Sequence, residues 1–140
     1  MFPDMDKVAR AYLLTGLAEQ GITGVPVATR IPSPMPDWFI RAFALPGSET
    51  TMRTQWVQVI VQCYGTDDEY TSQLARTCAA IMRAAPEMAV DVYDSGELLH
   101  MVSEPVEKHG PFPSDDPDIP DRSLYQVNIT WTVLSQAYYY

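Results

Sequence analysis

The chain has 140 residues and a formal charge of −9, from 9 basic and 18 acidic side chains. That length suits a single domain with a hydrophobic core, and a 46% share of hydrophobic residues excludes a disordered acidic tail. The excess of acid argues against a nucleic-acid-binding surface, because such surfaces need lysine and arginine to displace counterions from phosphate. The charge is unevenly placed: residues 1–85 carry 8 acidic and 7 basic side chains, whereas residues 86–140 carry 10 and 2.

The first third of the chain predicts one helix followed by two strands. Apolar residues at helical spacing predict a helix over about residues 5–20. Short strands are predicted over residues 24–31 and 38–45. Between them lies a stiff connector, residues 32–36, in which every second residue is a proline that cannot donate to a sheet. These prolines are Pro32, Pro34 and Pro36.

The middle of the chain predicts a buried strand and a capped helix. Residues 55–64 are rich in β-branched side chains, and one of their two faces is wholly apolar, so we expect that face in the core. It consists of Val57, Val59, Val61 and Cys63. Thr66 and Glu69 then form the pattern of a capping box, with Thr66 as the N-cap of a helix over residues 67–85. The apolar face of that helix consists of Tyr70, Leu74, Cys78, Ile81 and Ala85.

The last part of the chain predicts strands that flank a long loop. Residues 90–93 and 98–102 predict two short strands around a turn. Residues 105–121 contain five prolines and predict a long Pro/Asp-rich loop with no element of its own. Residues 124–133 alternate cleanly between apolar and polar and predict a half-buried strand of an antiparallel sheet. Residues 135–140 follow as an aromatic tail.

Together these elements predict a single α+β domain over residues 1–140, with two helices packed on one face of a mainly antiparallel sheet. The other sheet face is expected to be mixed and partly polar, which suits either water or a wet protein contact. Its polar residues are Gln58, Gln62, Asn128 and Thr130.

The sequence contains neither a membrane-spanning stretch nor a signal-peptide pattern at its first residues. We therefore expect synthesis in a reducing cytoplasm and no membrane partner. Cys63 and Cys78 are too few for a disulfide scaffold and are predicted to be free structural thiols.

No clear catalytic or metal-binding pattern is present. His100 and His109 have no histidine or cysteine at metal-ligand spacing, and the sequence lacks phosphate-loop, dinucleotide and nucleophile-elbow motifs. We therefore predict a protein that is not an enzyme and has no cofactor. The densest group of ligand-type side chains consists of Asp115, Asp116, Asp118 and Asp121. Prolines interrupt this group, which favours a solvated acidic loop over a weak divalent-cation site.

Four motifs follow one another along the chain. They come after the first helix and the Pro-rich connector. They are the strands ending Val-Gln-Val-Ile-Val-Gln-Cys-Tyr-Gly-Thr (residues 57–66), the capped helix over 67–85, the segments Ser103-Glu104-Pro105 and Gly110-Pro111 before the Asp/Pro loop, and the final strand over 122–133. This layout, across roughly residues 4–134, resembles the tail terminator proteins of long-tailed, siphovirus-type bacteriophages, especially those of actinobacteria.

The resemblance implies a structural virion protein, made in the host cytoplasm, that closes into a hexameric ring on the finished tail tube. Such a ring stops tube polymerisation and joins the tail to the head–tail connector proteins, while phage DNA passes through without specific binding. Two alternatives remain open. The chain could be another connector or stopper subunit of the same neck, or a small dimeric α+β domain that binds a metal or another ligand.

A ring of this kind needs one patch of each subunit to meet a different patch of the next. The candidate inter-subunit or neck contacts are Pro32, Pro34, Pro36, Trp38, Phe112, Tyr138, Tyr139 and Tyr140. The three tyrosines could cover their own domain or reach a neighbouring subunit. Acidic side chains either line the channel, where they would repel DNA phosphate, or coat the outer rim. They are Glu104, Glu107, Asp115, Asp116, Asp118 and Asp121.

Overall fold

The computed structural model describes residues 5–45, 54–84, 90–92, 97–99 and 107–134. The helices are α1 (Met5–Glu19) and α2 (Asp68–Arg83). The strands are β1 (Val27–Ala28), β2 (Trp38–Leu45), β3 (Thr54–Gly65), β4 (Val90–Val92), β5 (Glu97–Leu99), β6 (Glu107–Ser114) and β7 (Ser123–Leu134).

Five strands form one sheet in the order β1-β2-β3-β7-β6, and β4 pairs with β5 in a separate two-stranded sheet. Every pairing is antiparallel except the short parallel contact of β1 with β2. Both helices pack against the sheet and against each other. The predicted α+β class is therefore confirmed, as is the predicted arrangement of two helices on one face of a mainly antiparallel sheet.

The helix-covered face of the sheet forms the main core. The predicted apolar face of β3 is buried there, together with alternate residues of β7. Trp131 on β7 is fully buried, and its indole Nε1 donates to the carbonyl oxygen of Met82 at 3.1 Å. Its ring meets Tyr12 of α1 edge to face, with the ring centroids 5.4 Å apart. Trp131 therefore joins both helices to the central strands.

Cys63 and Cys78 connect β3 to α2 inside this core. Both are free thiols and fully buried, and their sulfur atoms lie 3.9 Å apart. The hydrogen bond with Cys78, together with burial, raises the pKa of the Cys63 thiol well above its ordinary value. A raised pKa disfavours the reactive thiolate of Cys63. Both cysteines are packed in the core as small buried side chains.

Helix α2 begins one residue later than the sequence indicates. Its N-cap is Asp67, whose carboxylate accepts the N–H of Glu69 at 3.0 Å, and so the prediction of Thr66 as N-cap is wrong. Aspartate is at least as good an N-cap as threonine, and here the carboxylate occupies the position with extended backbone. The predicted apolar face of this helix is confirmed at Leu74, Cys78 and Ile81, which are buried. At its first position Tyr70 is 38% exposed and Thr71 is buried instead, and Ala85 lies outside the described residues.

Strand β6 is the main correction to the sequence prediction. Residues 107–114, expected within a long loop, pair with β7 at the edge of the sheet. Pro111 and Pro113 are tolerated because an edge strand needs donors on one side only. The pairing shifts between His109 and Phe112, at Gly110, whose φ of 98° favours glycine. Between β6 and β7, residues 115–122 form a loop, and residues 105–106 of the predicted loop lie outside the described residues.

The other predicted elements differ from the structure mainly in their ends. The predicted strand over 24–31 shortens to Val27–Ala28, whereas β2 has the predicted bounds. The predicted strands over 90–93 and 98–102 correspond to β4 and β5, and Tyr93 and residues 100–102 lie outside the described residues.

The opposite edge of the sheet, along β2, is partly closed by α1. The N–H of Ile40 donates to the carbonyl oxygen of Pro26 at 2.9 Å, where β1 begins to pair with β2. Further along the same edge, the N–H of Ala44 donates to the carboxylate of Asp6 at 2.6 Å. A side chain of the first helical turn thus occupies an edge position that β1 is too short to reach.

Candidate assembly surface

The helix-free face of the sheet divides into three bands that run across the strands. At one end lies a covered band, a second buried cluster of Phe39, Tyr64, Ile119 and Leu124. The middle is an amide row of Arg41, Gln62, Gln126 and Asn128. The far end is an apolar band of Phe43, Leu45, Trp56 and Ile60. Of the polar residues predicted for this face, Gln62 and Asn128 belong to the amide row, whereas Gln58 and Thr130 lie at the far end, in line with Leu45.

The amide row is a continuous chain of hydrogen bonds across three strands. Arg41 Nη1 donates to Gln62 Oε1 at 3.3 Å, Gln62 Nε2 to Gln126 Oε1 at 3.1 Å, and Gln126 Nε2 to Asn128 Oδ1 at 3.0 Å. Because a guanidinium group can only donate, Arg41 sets the orientation of every amide that follows. Its Nε also donates to the carbonyl oxygen of Thr29 at 3.1 Å. The row therefore holds β2, β3 and β7 in one register.

The covered band lies under the loop that follows β6. The rings of Phe39 and Tyr64 stack with their centroids 4.6 Å apart, and Ile119 from the loop is buried in the same cluster. Met35 of the proline connector packs against this cluster from the other side. Two segments that are distant in sequence thus fold over the same end of the sheet.

Arg122 ties these two segments together. Its Nη2 donates to the carbonyl oxygen of Pro36 at 3.0 Å, and its Nη1 forms an ion pair with Asp121 at 2.7 Å. The Arg122 side chain is only 9% exposed, whereas Asp121 is 67% exposed, so water still reaches the carboxylate side of this ion pair. We call residues 32–38 and 115–122 together the loop end. It unites the proline connector with most of the acidic candidates in one surface.

The acidic candidates do not all lie at the loop end. Asp115, Asp118 and Asp121 are exposed there. Glu107 begins β6 opposite Thr130, towards the other end of the sheet, and Glu104 lies outside the described residues. Within the described ranges, no three histidine, cysteine, aspartate or glutamate side chains are grouped so that they could hold a metal ion.

Asp116 has a structural role that its sequence context does not indicate. It is half-buried; one carboxylate oxygen accepts the hydroxyl of Tyr64 at 3.0 Å, and the other accepts the N–H of Asp118, also at 3.0 Å. Burial, followed by the hydrogen bond to Asp116, raises the pKa of Tyr64 from 10.0 to about 12. Asp116 therefore fixes the acidic loop to the covered band and differs from its exposed neighbours.

The hydrogen bond between Tyr64 and Asp116 predicts a pH-dependent loss of stability, which the substitution Tyr64→Phe should remove. A raised pKa means that the folded protein holds the Tyr64 proton more tightly than the unfolded chain does. The resulting stability is present below pH 10 and is lost as the pH rises from 10 to about 12. Thermal unfolding of the wild type and Tyr64→Phe across this range should show a steeper fall in the wild type. Tyr70→Phe, at an exposed tyrosine, serves as the control, and parallel profiles for Tyr64→Phe and the wild type would contradict the assignment.

The predicted contact residues differ in their accessibility. Trp38 is half-buried and meets Tyr70 edge to face, with centroids 5.1 Å apart, so it also supports the fold. Pro34 is exposed, whereas Pro32 and Pro36 are half-buried. Phe112 is 37% exposed on β6, beside Gln126. Tyr138, Tyr139 and Tyr140 lie outside the described residues.

Sequence reasoning placed Gln62 and Asn128 on this face, but it missed Arg122 and the hydrogen bonds that join the amide row. One feature of the sequence could have pointed to Arg122, since it is one of only two basic residues in the acidic segment 86–140.

None of the described helices has the length and apolar composition needed to cross a membrane.

Comparison with known proteins shows a likeness of fold. No protein-family profile matches the sequence, and no curated protein matches it. Among solved structures, the chain is similar to a chain of the "Virion of native gene transfer agent (GTA) particle", with a TM-score of 0.51 and 10% sequence identity. The likeness covers 96% of this chain and 98% of that chain. At this identity it shows a shared fold over nearly the full length of both chains.

Proposed function

We propose that the protein is a structural component of a phage-like virion. The observation that carries this proposal is the fold likeness to a chain of a gene transfer agent virion, at 96% and 98% coverage. Because both chains are covered almost completely, the likeness extends beyond a common sheet motif. The proposed role is structural and involves no catalysis.

Within that class, we infer a tail terminator that forms a hexameric ring, ends polymerisation of the tail tube and joins the tail to the head–tail connector. The sequence resemblance over residues 4–134 supports this finer assignment. The structure adds two unlike surfaces, the loop end and the apolar band, at opposite ends of the helix-free face. A heterologous ring needs such a pair of different patches.

The exposed acids of the loop end give the ring proposal an electrostatic component. Asp115, Asp118 and Asp121 lie close together in sequence on one surface, with Arg122 as the neighbouring cation. If this surface faces the channel, the acids repel phosphate and keep the passing DNA from binding. A position on the outer circumference of the ring would contradict this part of the proposal and leave the ring itself intact.

Electron microscopy of the purified protein with purified tail tubes tests the proposal. We expect a ring at one end of each tube, and tubes that stop growing when further tube protein is added. Unbound protein with normal tube growth would contradict the terminator assignment. Rings that bind the connector but not the tube would instead indicate a stopper subunit of the same neck.

A further inference from the structure

A cleft of about 460 Å³ opens at the flank of the loop end, between the loop that follows α1 and the first turn of α2. Its lining comes from three segments, which are residues 21–25, residues 36–38 and Tyr70. A Cβ at Gly21 or Gly24 would meet no heavy atom within 4 Å, so the protein leaves this side of the cleft open. The volume lies in the usual range for ligand sites, roughly 300–1,000 Å³.

Two aromatic rings in the lining contact each other. Trp38 and Tyr70 meet edge to face, with their centroids 5.1 Å apart. The Nε1 of Trp38 is buried beside Gly65 and has no hydrogen-bond partner among the described residues, so the accessible part of the indole consists of ring carbon atoms. Such rings offer a ligand their π surface, which attracts a cation positioned within about 6 Å of the ring centroid.

The charge around the cleft is negative. Asp37 is exposed in the lining, and in the described part of the chain no hydrogen bond or ion pair reaches its carboxylate. Arg122, which donates to the carbonyl oxygen of Pro36, is already paired with Asp121. The three exposed acids at residues 67–69 outweigh the positive end of the α2 dipole, which amounts to about half an elementary charge. A ligand that matches both the rings and this charge is a cation.

We propose that this cleft binds the guanidinium group of an arginine side chain presented by a partner protein. A guanidinium group is planar and weakly hydrated, so it stacks on aromatic rings such as Trp38 and Tyr70 at a lower cost in hydration than an ammonium group. It also donates two parallel N–H groups to one carboxylate, which Asp37 provides here. The inference concerns the single chain and does not depend on the proposed ring.

Nuclear magnetic resonance of the full chain tests the site with N-acetyl-arginine amide as the probe. We expect a saturable shift of the Trp38 indole N–H resonance, which is identified by its loss in Trp38→Phe. N-acetyl-citrulline amide has nearly the same shape without the charge, and it should bind about tenfold more weakly. Tyr70→Leu removes one of the two rings and should weaken binding of the arginine probe.

A matched pair of variants tests the carboxylate. Asp37→Asn changes a side chain without a partner among the described residues, so it should keep the fold and weaken binding of the arginine probe about tenfold. Asp118→Asn removes the same charge from an exposed aspartate outside the lining, and it should bind the probe as the wild type does.

Three outcomes would overturn the inference. One is a Trp38 indole resonance that does not respond to the arginine probe at any concentration. Another is equal affinity for the arginine and citrulline probes, which would show that the charge is not recognised. The third is an equal weakening in Asp37→Asn and Asp118→Asn, which would assign the binding to the general negative charge of the protein.

Discussion

Replacing Trp131 with alanine is expected to lower the free energy of unfolding by about 3–5 kcal/mol. Trp131 is fully buried and is the largest side chain of the described core, so truncation leaves a cavity between the sheet and both helices. The loss includes the edge-to-face contact with Tyr12 and the hydrogen bond to the carbonyl oxygen of Met82. That carbonyl would normally accept the N–H of residue 86, which is a proline and has none. Urea denaturation followed by circular dichroism measures the change.

Two further variants separate the parts of this effect. Trp131→Phe keeps an aromatic ring near Tyr12 but removes the indole N–H that donates to the Met82 carbonyl oxygen, and we expect it to cost about 1–3 kcal/mol. Leu14→Ala removes an apolar side chain that is 41% exposed on α1, and it should change stability by no more than about 0.5 kcal/mol. A Trp131→Ala variant as stable as Leu14→Ala would contradict the role of Trp131 as the central core contact.

Adding one methyl group at Gly65 is expected to destabilise the protein by about 1–3 kcal/mol. A Cβ at this position would collide with the Thr71 hydroxyl and the Trp38 indole ring. Neither neighbour is free to move, because the Thr71 hydroxyl donates to the Asp67 carbonyl oxygen at 2.6 Å and Trp38 packs against Tyr70. Gly65→Ala should therefore disturb the start of α2 and the end of β2 together.

Gly24→Ala is the matched control for this substitution. A Cβ at Gly24 meets no heavy atom within 4 Å, and the residue has no positive φ. We expect its stability to stay within about 0.5 kcal/mol of the wild type, as measured by thermal unfolding of both variants in the same buffer. Equal unfolding midpoints for the two alanine variants would show that Trp38 and Thr71 can move aside.

Local sequence patterns were sufficient to predict the strands that bury one face in the main core. The bounds of β2 and the buried face of β3 follow from alternation, because a strand with one buried face repeats every two residues. The N-cap of α2 was missed by one residue, since Thr66 and Asp67 are both competent caps and only the backbone geometry separates them. Errors of one residue at the end of a helix arise in this way, because neighbouring residues compete for the same capping position.

The missed features all depend on contacts between distant residues. Strand β6 contains two prolines, and only its position at a sheet edge makes them acceptable. The loop end depends on Arg122 meeting Pro36, 86 residues away. The amide row needs the register of three strands before its side chains come into line. Composition indicated polar and acidic segments correctly, but it could not indicate which of them meet.

The contact of Asp6 with the Ala44 N–H bears on how copies of this protein behave when crowded together. An open strand edge is a template on which another chain can add, and successive additions produce fibres. Along the described edges, the Asp6 carboxylate accepts the N–H of Ala44 on β2, and prolines remove backbone donors from β6. Strand-by-strand addition at these positions is therefore blocked. At high concentration, copies of the protein would associate through contacts between side-chain surfaces. The shape of such surfaces limits the number of copies in one assembly.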